Sequence, residues 1–445
     1  MFSGKKILVI IGIVLLLLAA AAFVVFKLLV SKAGPATLTY WGLWEPNSAM
    51  QVAIDDYKRV KPNVTINYQK MSPINYRERL TAAIASETGP DIVRIHNSWL
   101  PMLKNSLQPI PSSVYSAETF KNTFYGVASD DLVSGGQVWA VPLEIDTILM
   151  YVNEDLLTKS GGTVPTTWED FSPVVSQMTV RSGGGLQTSG TALGGASNVD
   201  HWQEVVGLMM LQAGVDLNSA GNSTAAQEAM GFYTGFITAY QTWDETQDAS
   251  TLAFANGKVG FYFGPSWRFF DIKEISSNNS NNSDLNFKVY PVPQLQGSLV
   301  AGRPVNYATY WAEAVSKKSK NGQEAAEFLK FISSKEELSK LYSAEAKLRG
   351  FGEPYSRVDL GESLKSDPVA GVVISQAPTA RSWYLASVTN DGETGINSKI
   401  GKYYTDAINS IIGQSGQSDV AKALETVAAG VSQVLGSYGV TSSIR

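Results

Sequence analysis

The chain has 445 residues, 44% of them hydrophobic and 17% charged, enough apolar material for a large core and too much for native disorder. Its 35 Lys and Arg stand against 40 Asp and Glu, a formal charge of -5 with no dense basic run, which argues against a partner made of duplex nucleic acid. The absence of Cys excludes disulfide frameworks, thiol catalysis, cysteine zinc sites and lipid attachment through an N-terminal cysteine, and 2 His leave little scope for a histidine-rich metal site or a Ser-His-Asp triad.

From Ile7 to Phe26 no charge occurs. A bilayer core needs about 20 apolar residues in helix, so this stretch can span one. A signal-peptide apolar region runs about 7–15 residues, and although Ser31-Lys32-Ala33 offers small residues for a cut, the length favours an uncleaved anchor. Lys5 and Lys6 on one side nearly cancel Lys27 and Lys32 on the other, so charge alone does not orient it. Residues 1–36 are therefore read as membrane anchor and linker.

Thr37 to Trp41 reads as a strand, and Asn47 or Ser48 can cap a helix whose Met50, Ala53, Ile54 and Tyr57 recur at helical spacing until Lys61-Pro62 stops it. Val64, Ile66 and Tyr68 alternate as in a strand, a second helix runs from about Asn75 towards Gly89, and Asp91 to Ile95 enter a third strand. This alternation predicts a parallel sheet with crossover helices, in which ligands bind beyond the carboxyl ends of the strands. Aromatic, amide and carboxylate groups gather at such ends. Trp41-Gly42-Leu43-Trp44-Glu45 follows the first strand, His96-Asn97-Ser98-Trp99 follows the third, and Pro142-Leu143-Glu144-Ile145-Asp146 leads into a later strand ending at Tyr151.

A sugar has an apolar C–H face that stacks on an aromatic ring and a rim of hydroxyls that carboxylate and amide oxygens accept from, so this composition suits one. Trp41 and Trp139 read more simply as strand residues packed in the core. His96, after a strand, is better explained by a local hydrogen bond than by a ligand.

Further along, Thr167 with Asp170 three residues on begins a helix in Pro165-Thr166-Thr167-Trp168-Glu169-Asp170-Phe171. Gly183-Gly184-Gly185 lacks the Gly-Lys-Ser/Thr of a phosphate loop, the Ser/Asn stretch from Asn278 to Ser283 reads as a solvated loop, and Asn390-Asp391-Gly392-Glu393 as a turn rather than a calcium loop.

Gly89-Pro90-Asp91-Ile92 opens a series of short motifs. Val141-Pro142 comes next with Asp146 and Tyr151-Val152-Asn153, then the Thr167 stretch, then Phe254-Ala255-Asn256-Gly257-Lys258-Val259-Gly260 leading to Gly264-Pro265-Ser266-Trp267. Ala314-Val315-Ser316-Lys317-Lys318-Ser319 and a helix from Gln323 to Phe331 complete it. In their order and spacing, over nearly all of residues 37–440, these motifs resemble the extracellular solute-binding proteins of sugar ABC transporters, the group similar to maltose- and glycerol-phosphate-binding proteins. The chain departs from that pattern in placing Val152 between Tyr151 and Asn153 and in lacking the lipid-bearing cysteine, which agrees with tethering by the apolar helix and puts the bulk of the chain outside.

The resemblance implies an α/β fold of two lobes like a periplasmic binding protein, with a hinge and an interlobe cleft. Residues 37–145 and 300–345 would form the first lobe, and 146–299 and 346–445 the second. It implies cleft residues Trp44, Glu45, Asn97, Ser98, Trp99, Glu144, Asp146, Trp267, Tyr310 and Trp311, of which Trp267 carries the strongest motif; Arg349 has no matching motif. It implies a receptor without cofactor or metal that captures a mono- or oligosaccharide and delivers it to permease subunits of an ABC importer. The alternative is a membrane-anchored glycoside hydrolase in which Glu45 and Glu144 or Asp146 form an acid and nucleophile pair.

Overall fold

The computed structural model describes residues 35–219, 221–278, 284–296, 304–413 and 419–440. The expected anchor Ile7–Phe26 and residues 279–283 of the Ser/Asn stretch lie outside the described residues. Among the described residues, no helix is long and apolar enough to cross a membrane.

With the shortest elements left unlabelled, the chain begins β1 (Ala36–Gly42), α1 (Asn47–Val60), β2 (Val64–Lys70), α2 (Tyr76–Ala85), β3 (Ile92–His96), β4 (Leu107–Gln108) and β5 (Ala140–Pro142). It continues through β6 (Leu149–Asn153), α3 (Trp168–Met178), β7 (Val180–Ser182), β8 (Gly185–Thr191), α4 (Trp202–Gln212) and α5 (Thr224–Thr238). Next come β9 (Val259–Gly264), α6 (Arg268–Ser277), β10 (Phe287–Tyr290), β11 (Asn306–Tyr307) and β12 (Trp311–Ser316). The rest is α7 (Gly322–Ile332), α8 (Lys335–Arg349), β13 (Ala380–Arg381), α9 (Ile396–Gly413) and α10 (Val420–Ser437).

Among the described residues, the first sheet has the order β2-β1-β3-β12-β4, with β5 also paired to β12. β1 runs parallel to β2 and β3, as the strand and helix alternation predicts. The returning β12 is antiparallel to β3, β4 and β5, so the sheet is mixed rather than parallel throughout. The predicted face of α1 is the buried one, with Met50, Ala53, Ile54 and Tyr57 all in the core and Tyr57 edge-on to Phe328 of α7 at 5.0 Å. That helix starts at Asn47 behind an extended Pro46, without a side-chain cap, so neither Asn47 nor Ser48 fills the capping role expected of it.

The second sheet has the order β10-β6-β9-β8-β7. Its centre is aromatic: Phe171 of α3 lies 5.0 Å from Phe261 and 5.7 Å from Phe263 of β9, and Trp168 packs on Phe263 at 5.5 Å. Thr167 caps α3 as expected, accepting from the Asp170 amide at 3.1 Å.

Between the sheets the chain crosses more than once, and the crossings pair with one another. Thr147 bridges Ala308, Glu144 bridges Tyr355, and β11 runs parallel to β13. Residues 346–445 were expected in the second lobe. Near the start of that span Arg357 bridges Phe124 and Ser356 donates to the Pro142 carbonyl at 2.7 Å. α9 and α10 pack beside α5.

Candidate functional site at the crossings

Both sheets meet the crossings with the ends that carry the rings. β12 begins at Trp311 just after the crossing, and Trp311 is in register with His96 at the end of β3. β6 begins at Leu149 after the other crossing, in register with Gly264 at the end of β9. Trp44 and Trp99 follow the ends of β1 and β3, and Trp267 follows that of β9.

On the first lobe the rings pack on each other. Trp311 is edge-on to Trp44 at 5.5 Å, to Trp99 at 5.4 Å and to His96 at 5.2 Å. Trp99 is fully buried and stacks on Tyr76 at 6.1 Å, so it backs the cluster, whereas Trp44 is half-buried and leaves part of its ring accessible. His96 bonds Ser98 at 2.7 Å and Thr309 at 3.0 Å, the local role expected of it, and burial holds its imidazole neutral with a pKa of about 3.

The carboxylates expected to accept sugar hydroxyls have another partner. Arg94, at the middle of β3 and with a fully buried side chain, pairs with Glu45, with Glu144 at 3.2 Å and with Glu313 of β12 at 3.3 Å. Tyr40 donates to Glu313 at 2.8 Å, and burial pushes the Glu313 carboxyl up to about 7 against the pull of Arg94. Burial, followed by the nearby Glu353, also raises the Glu144 pKa well above the ordinary carboxylate value. Three buried carboxylates share one guanidinium as ion-pair partners.

Asn97, Ser98 and Tyr310 belong to a polar knot. Asp131 accepts from Asn97 at 2.9 Å and from Tyr310 at 2.8 Å, and it also receives the Ser382 hydroxyl. Ser98 donates to Asn397 of α9 at 2.8 Å, and Ile396 approaches Met102 nearby. These contacts tie the end of β3 to the C-terminal part of the chain, and they occupy the polar atoms that the resemblance assigns to ligand. The turn expected at 390–393 falls at Gly392–Gly395 instead, and Asp391 just before it holds the start of α9, accepting from the Asn397 amide at 2.7 Å and from Ser398 at 2.6 Å.

Asp146 sits on a crossing and accepts from the Ser266 amide at 3.0 Å, the Ser266 hydroxyl at 3.0 Å and the Thr147 amide at 2.7 Å. It thereby fixes the Gly264-Pro265-Ser266 turn that carries Trp267. Burial and then Glu353 push its pKa up to about 8, against these hydrogen bonds. Trp267 itself is half-buried, with the Arg268 guanidinium 4.4 Å from its ring centroid and His201 edge-on at 5.5 Å. Arg268 donates to His201 at 2.8 Å and to Asp271 at 2.8 Å.

Arg94, Glu313, Asp131, Arg268 and His201 are the residues that sequence reasoning passed over. One of them had a signal, since an arginine inside the apolar run Ile92–His96 must find buried partners. Arg349 pairs with Glu353 at 2.5 Å and lies over Phe270, while Phe351 stacks on the same ring at 4.4 Å, so this loop joins α8 to α6 across the lobes.

A separate hollow of about 430 Å³ opens between Gln203, the 386–392 loop and α9, and the expected cleft residues do not line it. Among the described residues, no cluster of His, Asp and Glu is arranged to hold a metal ion.

The sequence matches the family model for bacterial extracellular solute-binding proteins over residues 52–369. A Brucella abortus protein known by name only as a binding protein is 23% identical over 128 residues, which are 28% of this chain and 31% of that protein, so the match spans under a third of the relative's length. Among solved structures, a cyclo/maltodextrin-binding protein complexed with maltotetraose is similar with a TM-score of 0.71 at 19% identity, over 91% of this chain and 98% of that one. A cyclic alpha-maltosyl-1,6-maltose binding protein from Arthrobacter globiformis gives a TM-score of 0.71 at 18%, covering 91% and 100%. A sugar-binding protein from Xanthomonas citri gives 0.70 at 20%, covering 90% and 98%. At these identities the likeness establishes the two-lobe α/β fold.

Proposed function

The chain belongs to the bacterial extracellular solute-binding protein family, and from that premise we propose that it is the receptor of an ABC importer, capturing a mono- or oligosaccharide between its lobes and handing it to the permease. The observation that carries the sugar class is the placement of a half-buried ring at the ring-bearing end of each sheet, Trp44 packed on the buried Trp311 on one lobe and Trp267 on the other, with Asp146 linking a crossing to the Trp267 turn. Rings offer faces to C–H groups of a pyranose, and closure about the crossings would exclude water from them. Sugar recognition by the solved structures of the same fold supports this reading.

The hydrolase alternative loses its support from the carboxylates. Glu45 and Glu144 are both bound to Arg94 in the interior, and Asp146 is held by Ser266, so none is a free acid or nucleophile beside a cleft. In this reading the binding body is extracytoplasmic and the run Ile7–Phe26 tethers it to the membrane, which fractionation of cells followed by N-terminal sequencing decides: a soluble mature protein starting near Gly34 would replace the tether by a cleaved signal.

A thermal-shift screen against a panel of mono- and oligosaccharides tests the receptor. A ligand present at 100 times its Kd stabilises the folded state by about 2.7 kcal/mol, an easily read shift. A panel without a single stabilising sugar sinks the carbohydrate reading, and release of sugar products by the pure protein would revive the hydrolase.

A further inference from the structure

Each of the three arms of Arg94 ends on a chain segment that bears a ring or carboxylate of the proposed site. Nη1 meets Glu45, the neighbour of Trp44. Nε meets Glu313, and because alternate strand residues share a face, Glu313 stands beside Trp311 on β12 just as Arg94 stands beside His96 on β3. Nη2 meets Glu144, on the crossing that carries Asp146 and bridges Tyr355.

The partners are fixed from their other sides. Tyr40 holds Glu313 at 2.8 Å, Tyr68 donates to the Glu45 carbonyl at 2.8 Å, and Lys70 to the Trp44 carbonyl at 2.9 Å. A planar guanidinium spreads its donors at fixed angles, which an ammonium does not.

We propose that Arg94 is the positioning residue of this site, setting Trp44 and Trp311 in their edge-on arrangement and registering them against the crossing that carries Asp146. The inference rests on the receptor reading for its effect on affinity, and on geometry alone for its effect on the rings. A network serving charge balance only would tolerate any cation at this position. A network that positions needs the fork.

Arg94→Lys separates the two. Its melting temperature should stay close to that of the wild type, since the charge is kept. Affinity for whichever sugar of the panel stabilises the wild type should fall about tenfold or more, because arginine and lysine are not equivalent where several carboxylates are gripped at once. Near-ultraviolet circular dichroism of the ligand-free protein should lose the tryptophan signal that Trp44→Phe also removes. Wild-type affinity and wild-type dichroism in Arg94→Lys overturn the proposal.

If the lysine variant does not fold, Glu45→Gln releases the Trp44 arm alone and is read the same way: loss of the ring signal supports positioning, an unchanged spectrum and affinity overturn it. A wild type that binds no sugar sinks the receptor reading, and the dichroism of the variants then decides the positioning inference by itself.

Discussion

The two sheets solve the same packing problem with different chemistry. At the centre of the first, Arg94 and Glu313 face each other in register with no solvent exposure, and two more carboxylates converge on the same guanidinium. At the centre of the second, Phe261 and Phe263 meet Phe171 and Trp168, and stability comes from apolar burial. Ionic groups in an interior add little net stability, because desolvation offsets their attraction, but they are demanding about geometry. The charged centre therefore specifies an arrangement, and the aromatic centre supplies cohesion.

The largest test removes one side of the charged centre. Arg94→Met strands buried carboxylates and should cost about 3–5 kcal/mol in urea unfolding. Adding Glu45→Gln, Glu144→Gln and Glu313→Leu makes the first sheet resemble the second, and most of that stability should return. If the single variant is as stable as the wild type, the cluster is not the ionic core described here.

Next in size is Trp267→Ala. Its ring is half-buried, so the melting temperature without ligand should change little while sugar affinity drops by about 2 kcal/mol, the range of a binding hot spot. A large loss of melting temperature with unchanged binding below the melt would move Trp267 into the packing of the second lobe.

The comparison also has a pH signature. Burial holds Glu313, and Glu204 of α4 where it accepts from Ser387, at about 7 and Asp146 at about 8. An unfolded chain gives up these protons at about pH 4, so the folded state binds more protons than the unfolded one between there and about 8, and stability falls as pH rises through that window. His96 and His201, held at about 3, oppose this only below about 6.5, where the unfolded imidazoles become charged. Calorimetry should show the melting temperature declining from about pH 6.5 to 8.5, and Glu313→Gln should remove about 1 kcal/mol of that decline. A melting temperature that rises over this range contradicts the carboxyl assignments.

The smallest effect falls on the aromatic lobe. Thr167→Ala loses the cap of α3 and should cost about 1 kcal/mol or less. A cost well above that would mean Thr167 does more than cap the helix.

Local elements were readable because their signals are local. Met50, Ala53, Ile54 and Tyr57 recur at helical spacing, and all four are buried. Thr167 caps the helix that its motif announced. The antiparallel return of β12 was not readable, since strand pairing between residues such as His96 and Trp311 leaves no mark in either segment. For the same reason Glu45 and Glu144 read as free acceptors. A sequence displays a carboxylate without its partner, and their shared partner Arg94 lies in a different strand. Ser98 was similarly committed to Asn397, 299 residues away.

The path of β12 has a consequence for how the molecule assembles. The second sheet draws its strands from one continuous stretch, β6 to β10, whereas the first inserts β12 between β3 and β4, joining residues as far apart as Tyr40 and Glu313, 273 positions along the chain. Closing so long a loop is slow, and native contacts of high sequence separation delay folding. The second lobe's sheet can thus form while the first still waits for its middle strand, and the charged centre cannot exist until that strand arrives. Pulse-labelled hydrogen exchange during refolding should protect amides of β6 and β9 before those of β3 and β12; simultaneous protection would mean that the lobes fold as one cooperative unit.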